Sequence, residues 1–88
     1  MKKEILDFFS DGCGNCKMME PYLVQIESEF SDITITRLNI KDAQDKVEKY
    51  DVTTLPTLVF LKDDEPVATM VGLKPKSLIV KKINEVLV

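Results

Sequence analysis

The only two cysteines of the sequence, Cys13 and Cys16, lie between a short apolar run and a stretch with helical periodicity. A disulfide across a two-residue spacer removes little entropy from the unfolded chain, because that benefit grows with the length of the closed loop. No further cysteine is available for the disulfide framework that holds many small secreted domains together. The pair therefore indicates a bond that opens and closes, in a chain whose stability must come from an apolar core.

Half of a zinc site is the alternative interpretation of two cysteines at this spacing. A structural zinc ion takes about four ligands, usually cysteine or histidine. The chain has no histidine and no second cysteine pair, so a closed site would need carboxylates or a second subunit. We therefore do not expect a metal site.

Length and charge narrow the class of protein. With 88 residues, 44% of them hydrophobic, the chain fits one domain over residues 1–88. No apolar run approaches the roughly 20 residues that span a bilayer, and Asp7 interrupts the first apolar segment. The net charge is −3 and the lysines are scattered. Because no basic patch is left for phosphates, neither nucleic acid nor membrane is an expected partner.

Apolar periodicity predicts seven elements in the order βαβαββα. Strands are predicted at 4–9, 33–40, 57–61 and 66–71, the last two joined by a charged turn at 62–65. Helices are predicted at 18–30, at 42–50 and from residue 75 onward. A strand-helix-strand unit needs parallel strands and a right-handed crossover, whereas the closing hairpin is antiparallel. We therefore expect an α/β fold with a four-stranded mixed sheet and helices on both faces.

Local signals predict how the helices begin and bend. Pro21 removes one backbone hydrogen bond within the first helix and should bend it. Asp42 is the expected N-cap of the second helix. Pro75 is expected at the first position of the last helix, where its missing N–H costs nothing. The apolar positions expected to be buried in that helix are Ile79, Ile83, Val86 and Leu87.

A place at the start of a helix distinguishes Cys13 from Cys16. An ordinary cysteine has a pKa near 8.5, so about 3% is thiolate at neutral pH. Unpaired N–H groups and the helix dipole favour an anion and should lower the pKa of Cys13 by roughly one unit. Cys16, one turn farther along, should be shielded and less acidic. The expected roles are a nucleophilic Cys13 and a resolving Cys16 in thiol-disulfide exchange.

Asp7 is the only charged residue of the apolar run at 5–9 and precedes Cys13 by six positions. If it lies beneath the cysteines, burial raises its pKa and makes it a base for Cys16. The alternative is an edge-strand aspartate in solvent. Arg37 on the next strand is a possible partner, whose permanent charge would moderate the shift.

The residues directly after the second cysteine are expected to have simple roles. Lys17 should be exposed and add positive potential near Cys13. Met18 and Met19 could bind a soft metal, but methionines at helical spacing are more often core residues.

Six separated motifs in the same order resemble the thioredoxin family. They are Asp7-Phe8-Phe9, Cys13-Gly14-Asn15-Cys16-Lys17-Met18, Pro21, Arg37-Leu38-Asn39-Ile40, Leu55-Pro56-Thr57 and Val71-Gly72. The resemblance runs from Ile5 nearly to the C-terminus and implies a minimal, glutaredoxin-sized thioredoxin fold. It implies a cytoplasmic, monomeric dithiol-disulfide oxidoreductase that needs no cofactor beyond the cysteine pair. Its partners would be thioredoxin reductase or a similar electron donor and disulfide-containing proteins.

The resemblance also implies a substrate site around Pro56. The Leu55-Pro56 bond would be cis and face Cys13, leaving the Leu55 backbone free to pair with an extended substrate. Without the resemblance, Pro56 would be a trans turn proline and Gly72 a turn glycine. The docking collar, the apolar rim expected to receive substrate, consists of Gly12, Gly14, Leu55, Gly72 and Leu73.

Three departures from the family pattern accompany these matches. Gly12 replaces the tryptophan that usually precedes the first cysteine, which makes the rim less apolar. Asn15 replaces the usual proline between the cysteines and so removes a restraint on φ. The chain also begins about one strand and one helix later than a full-length thioredoxin, so an exposed edge strand is expected.

Two alternative functions remain open. A glutathione-dependent glutaredoxin would have a Cys-Pro-Tyr-Cys-like site and a Gly-Gly pair after the last strand, where this chain has Val71-Gly72-Leu73. A binding module with incidental cysteines would not need Asp7 and Pro56 alongside an intact cysteine pair. Under either alternative, this chain would not reduce insulin when thioredoxin reductase supplies the electrons.

Overall fold

The computed structural model describes all residues from Met1 to Val88 and has seven elements in the expected order. The strands are β1 (Lys3–Phe9), β2 (Ile33–Asn39), β3 (Thr57–Lys62) and β4 (Glu65–Val71). The helices are α1 (Gly14–Glu29), α2 (Gln44–Lys49) and α3 (Lys76–Val86). None of the helices is long and apolar enough to cross a membrane.

The four strands form one mixed sheet in the order β2-β1-β3-β4. β1 pairs with β2 in parallel and with β3 antiparallel, and β3 pairs antiparallel with β4. The predicted α/β architecture is therefore confirmed. β1 lies inside the sheet, which makes the interpretation of Asp7 as an edge-strand residue wrong.

Two apolar clusters cover opposite faces of the sheet, because successive side chains of a strand point to opposite sides. The main core lies between the sheet and helices α1 and α3. Its buried residues are Ile5, Met19, Leu23, Ile26, Ile33, Ile35, Leu58, Phe60, Ile79, Ile83 and Leu87. The smaller cluster on the other face consists of Leu6, Phe8, Val59 and Leu61, with Val47 of α2 and its C-cap residue Tyr50 packed against it.

The first helix begins one residue after Cys13, earlier than its apolar periodicity indicates. Its extra first turn has no apolar stripe, since Gly14, Asn15 and Lys17 are exposed. Pro21 lies within the helix and is exposed. The bend expected at Pro21 stays a prediction.

Asp42 is not the N-cap of α2, contrary to the sequence prediction. Ala43 occupies that position, has no side-chain capping bond and is only 6% exposed. The Asp42 N–H instead donates to the Asn39 carbonyl in the preceding turn. Burial of Ala43 therefore determines where the helix starts, and Asp42 stays exposed.

The last helix also starts one residue later than expected. Pro75 is its N-cap in an extended conformation, and its carbonyl accepts the N–H groups of Leu78 and Ile79. Val86 is only half-buried, because the buried stripe continues from Ile83 directly to Leu87.

Candidate active site

The sheet topology brings the Cys13 loop and the Pro56 loop to the same end of the sheet. Cys13 follows the C-terminal end of β1, and Pro56 directly precedes β3. Phe8 pairs with Thr57, and Thr57 pairs with Val71 at the end of β4. The loops after β1, before β3 and after β4 therefore lie at the same end of the sheet.

A backbone hydrogen bond joins two of these loops. The Gly72 N–H donates to the Pro56 carbonyl at 2.8 Å. Gly72 has a φ of 88°, a conformation that favours glycine because a side chain would be strained there. Gly72 therefore serves as a turn glycine. The Leu55-Pro56 peptide is cis, as the family resemblance implies, and Pro56 is buried.

Cys13 and Cys16 are joined by a disulfide, with their Sγ atoms 2.16 Å apart. Cys13 is the N-cap of α1, and its Sγ accepts the Cys16 N–H at 3.1 Å. Cys13 is partly exposed, whereas Cys16 is buried. The helix start therefore donates a hydrogen bond to the more accessible sulfur, a position that stabilises a thiolate once the disulfide is reduced.

The Asp7 carboxyl is buried on the face of β1 that is covered by α1, with only 4% of the residue exposed. The pKa of Asp7 is raised from its usual 3.8 to about 6, mainly by burial and to a smaller extent by the negative charge of Glu20. Arg37 acts in the opposite direction, as expected from the sequence. A carboxyl with a pKa near 6 can gain and lose a proton close to neutral pH.

A pocket of about 330 Å³ is lined by both Asp7 and Cys16. Its lining residues are Asp7, Phe9, Ser10, Asp11, Cys16, Lys17, Glu20 and Arg37. Asp7 and Cys16, which the sequence predicted as base and resolving thiol, thus face the same cavity. Lys17 is exposed, as expected, and it lines this pocket.

Arg37 is held by two glutamates of α1 that the sequence interpretation missed. Its Nε donates to Glu20 at 2.7 Å, while Nη1 and Nη2 donate to the two oxygens of Glu27 at 2.9 Å each. The Arg37 guanidinium lowers the pKa of Glu27, and Glu27 in turn raises the pKa of Arg37. The two glutamates are seven residues apart, two helical turns, and this spacing on the sheet-facing side is the signal that could have identified them.

The members of the docking collar differ in exposure. Gly12 and Gly14 are exposed, whereas Leu55, Gly72 and Leu73 are half-buried. Leu73 packs against the main core. Their role in substrate binding stays a prediction.

Met18 is 60% exposed, so the expectation that both methionines belong to the core is wrong for this residue. Met19 is 1% exposed and belongs to the main core. The difference arises because adjacent helical positions point about 100° apart. No cluster of three or more histidine, cysteine or acidic side chains is placed to hold a metal ion.

Comparison with known proteins decides the family. The family model described as Thioredoxin matches residues 1–85. This chain belongs to the thioredoxin family. A thioredoxin from Chlamydia caviae is 41% identical over 81 residues, which cover 92% of this chain and 79% of that relative. A thioredoxin from Bacillus subtilis is 38% identical over 82 residues, with the same coverage of 92% and 79%.

Solved thioredoxin structures share the fold. The crystal structure of oxidised mitochondrial thioredoxin 3 from Saccharomyces cerevisiae matches with a TM-score of 0.90 and 27% identity. The match covers 97% of this chain and 79% of the yeast chain. The thioredoxin fold predicted from the sequence is confirmed. Family membership and the bonded Cys13-Cys16 pair assign thiol-disulfide oxidoreductase activity to this chain.

Proposed function

We propose that the reduced chain reduces protein disulfides through Cys13 as nucleophile and Cys16 as resolving thiol. The observation that carries the proposal is the helix-capping position of Cys13, whose sulfur accepts an N–H and is more accessible than that of Cys16. A thiolate attacks a disulfide far better than a thiol does. The sulfur with the lower pKa and the better access is therefore the one that meets the substrate.

The exchange moves two electrons from the dithiol to the substrate in two steps. The Cys13 thiolate attacks one substrate sulfur, forms a mixed disulfide and releases the other substrate sulfur as a thiolate. Cys16 then loses its proton and attacks the Cys13 sulfur. The mixed disulfide breaks, the second substrate thiolate leaves, and the Cys13-Cys16 disulfide forms.

Asp7 is the base for the second step. It shares the pocket with Cys16, and its pKa of about 6 lets it take a proton at neutral pH and release it afterwards. Lys17 contributes positive potential at the same pocket, whereas the charge of Arg37 is paired with Glu20 and Glu27. Such potential favours thiolates in both steps.

The substrate docks at the end of the sheet where the loops of Cys13, Leu55 and Gly72 meet. The Leu55 backbone pairs with an extended substrate segment, and the docking collar of Gly12, Gly14, Leu55, Gly72 and Leu73 receives its side chains. The exposure of Gly12 and Gly14, together with the half-exposed Leu55, supports access from solvent.

The electron donor is thioredoxin reductase or a similar enzyme, since thioredoxin-family proteins generally exchange electrons with that reductase and with disulfide substrates. The chain acts as a monomeric single domain over residues 1–88 and uses no cofactor besides its disulfide. A cytoplasmic location fits this role, because the cytosol keeps such dithiols reduced.

Insulin reduction tests the function. With NADPH and thioredoxin reductase, the chain should precipitate reduced insulin, and Cys13→Ser should abolish the reaction. Cys16→Ser should instead accumulate a mixed disulfide with insulin, visible by mass spectrometry. Turnover that requires glutathione and glutathione reductase would contradict the proposed donor and favour a glutaredoxin-like protein.

A further inference from the structure

Asp7 and Arg37 occupy directly paired positions of the parallel strands β1 and β2. Side chains at such positions project from the same face of the sheet and lie about 5 Å apart at their Cβ atoms. An arginine is long enough to form an ion pair with an aspartate across that distance. In this chain, the hydrogen bonds of the Arg37 side chain go instead to Glu20 and Glu27 of α1.

We propose that Glu20 is a positioning residue for the resolving step: it holds the Arg37 guanidinium against α1, so that Asp7 stays free of an ion pair and can take the proton of Cys16. The inference rests on the proposed role of Asp7 as the base. Glu20 touches neither substrate nor sulfur in this scheme and acts only through Arg37 and Asp7.

The charges around Asp7 support this assignment. On α1 the pocket presents Lys17 and Glu20, on β2 Arg37, and in the loop after β1 Asp11. The neighbour of Asp7 on the other side, Leu58 of β3, is apolar. Of these charged groups, Glu20 and Arg37 are the ones that shift the pKa of Asp7, and they act in opposite directions.

Removing Glu20 should therefore weaken the base by two routes. The negative charge that disfavours ionisation of Asp7 disappears, and Arg37 Nε loses its partner and can turn toward Asp7. Both changes lower the pKa of Asp7. A carboxylate with a lower pKa accepts the Cys16 proton less readily, so resolution should slow at neutral pH and persist to lower pH.

Glu27 offers a matched control within the same cluster. It binds Arg37 through two hydrogen bonds, whereas Glu20 makes one. Unlike Glu20, it does not line the pocket and is not among the charges that shift the pKa of Asp7. Glu27→Gln therefore removes a charge from the same guanidinium, but it leaves in place both the Glu20 charge that acts on Asp7 and the Glu20 bond that holds Arg37 Nε.

The two steps can be measured separately with dithionitrobenzoate, an aromatic disulfide, in a stopped-flow experiment on the reduced protein. Attack by Cys13 releases one coloured thiolate, and attack by Cys16 on the mixed disulfide releases the second. The rate of the second release is measured from about pH 5 to about pH 9. Circular dichroism verifies that each variant is folded.

For the second release, Glu20→Gln should move the acid limb of the pH profile to lower pH by about half a unit to one unit. The rate at the plateau should fall severalfold. Glu20→Ala, which also removes the Nε acceptor, should shift it at least as far. Glu27→Gln should leave the limb in place, and Arg37→Gln should move it upward. The first release should change little in the glutamate variants.

The outcomes separate the two proposals. If Asp7→Asn keeps the acid limb, Asp7 is not the base, and the role of Glu20 falls with it. If Asp7→Asn removes the limb but Glu20→Gln leaves it unmoved, or if Glu27→Gln shifts it equally, the base assignment stands and the inference about Glu20 is overturned.

Discussion

Among single residues, the Asp7 carboxyl is the clearest case in which function and stability oppose each other. A buried carboxylate without an ion-pair partner destabilises the folded chain whenever it is ionised. The same burial places its pKa near neutrality, where a base for Cys16 is useful. The chain therefore keeps at a central strand position a group that an apolar core would exclude.

Asp7→Asn should stabilise the oxidised protein at about pH 8, by up to about 3 kcal/mol. The pKa of Asp7 is raised from 3.8 to about 6 on folding, so the folded state binds more protons between these values. The free energy of unfolding of the parent protein therefore falls as pH rises through this window. The gain in the variant should vanish below about pH 4, where Asp7 is protonated in both states.

Urea unfolding at several pH values measures this difference. An Asn variant that is no more stable than the parent at about pH 8 would contradict the raised pKa of Asp7. Asp11→Asn provides the control, because Asp11 lines the same pocket but is exposed and bonded to Lys41. Its replacement should not stabilise the protein.

At the scale of elements, the connection from β4 to α3 depends on one backbone conformation. Gly72 has its positive φ at the point where the chain leaves the sheet, and its N–H ties this turn to Pro56. A Cβ built there would meet no other atom within 4 Å. The requirement for glycine therefore comes from the backbone and not from crowding.

Gly72→Ala should lower the free energy of unfolding by about 1 to 2 kcal/mol, the usual cost of a left-handed conformation for a residue with a side chain. Gly14→Ala is the matched control. Gly14 also has open space around a built Cβ, but it lies in the first turn of α1 without a positive φ. It should be neutral or slightly stabilising. Equal losses in both variants, measured by urea unfolding, would contradict this explanation.

At the scale of the whole molecule, stability depends unequally on the two faces of the sheet. Eleven buried residues form the main core under α1 and α3, whereas four form the cluster on the α2 face. The active-site end of α1 is anchored to this main core through Met19 and Leu23. Substitutions that destabilise the main core should therefore also disturb the positions of the two cysteines.

Phe60→Ala should lower the free energy of unfolding by about 3 to 5 kcal/mol, because it opens a cavity in a region that cannot fully collapse. Phe60 is 0% exposed and belongs to the main core. Phe30→Ala is the comparison, since Phe30 is half-buried at the end of α1 and should lose less than half as much. Denaturant unfolding of both variants tests the difference, and comparable losses would contradict it.

The sequence by itself determined the order of the elements, the mixed sheet and the pair of cysteines at a helix start. These features are local, since strands and helices have different apolar periods and Cys13 lies directly between two such patterns. The cis bond before Pro56 was accessible only through the family resemblance. Helix starts were less well predicted, because burial of Ala43 outweighed the capping preference of Asp42.

Only the tertiary structure decided which charges surround the buried carboxyl. Strand register placed Arg37 beside Asp7. The packing of α1 on the sheet brought Glu20 and Glu27 within hydrogen-bonding distance of the Arg37 guanidinium. The residues of this cluster are far apart in the chain, and no local period of the sequence encodes how a helix is rotated over a sheet. Its orientation follows from packing of the whole core, and the electrostatics of the active site follow from that orientation.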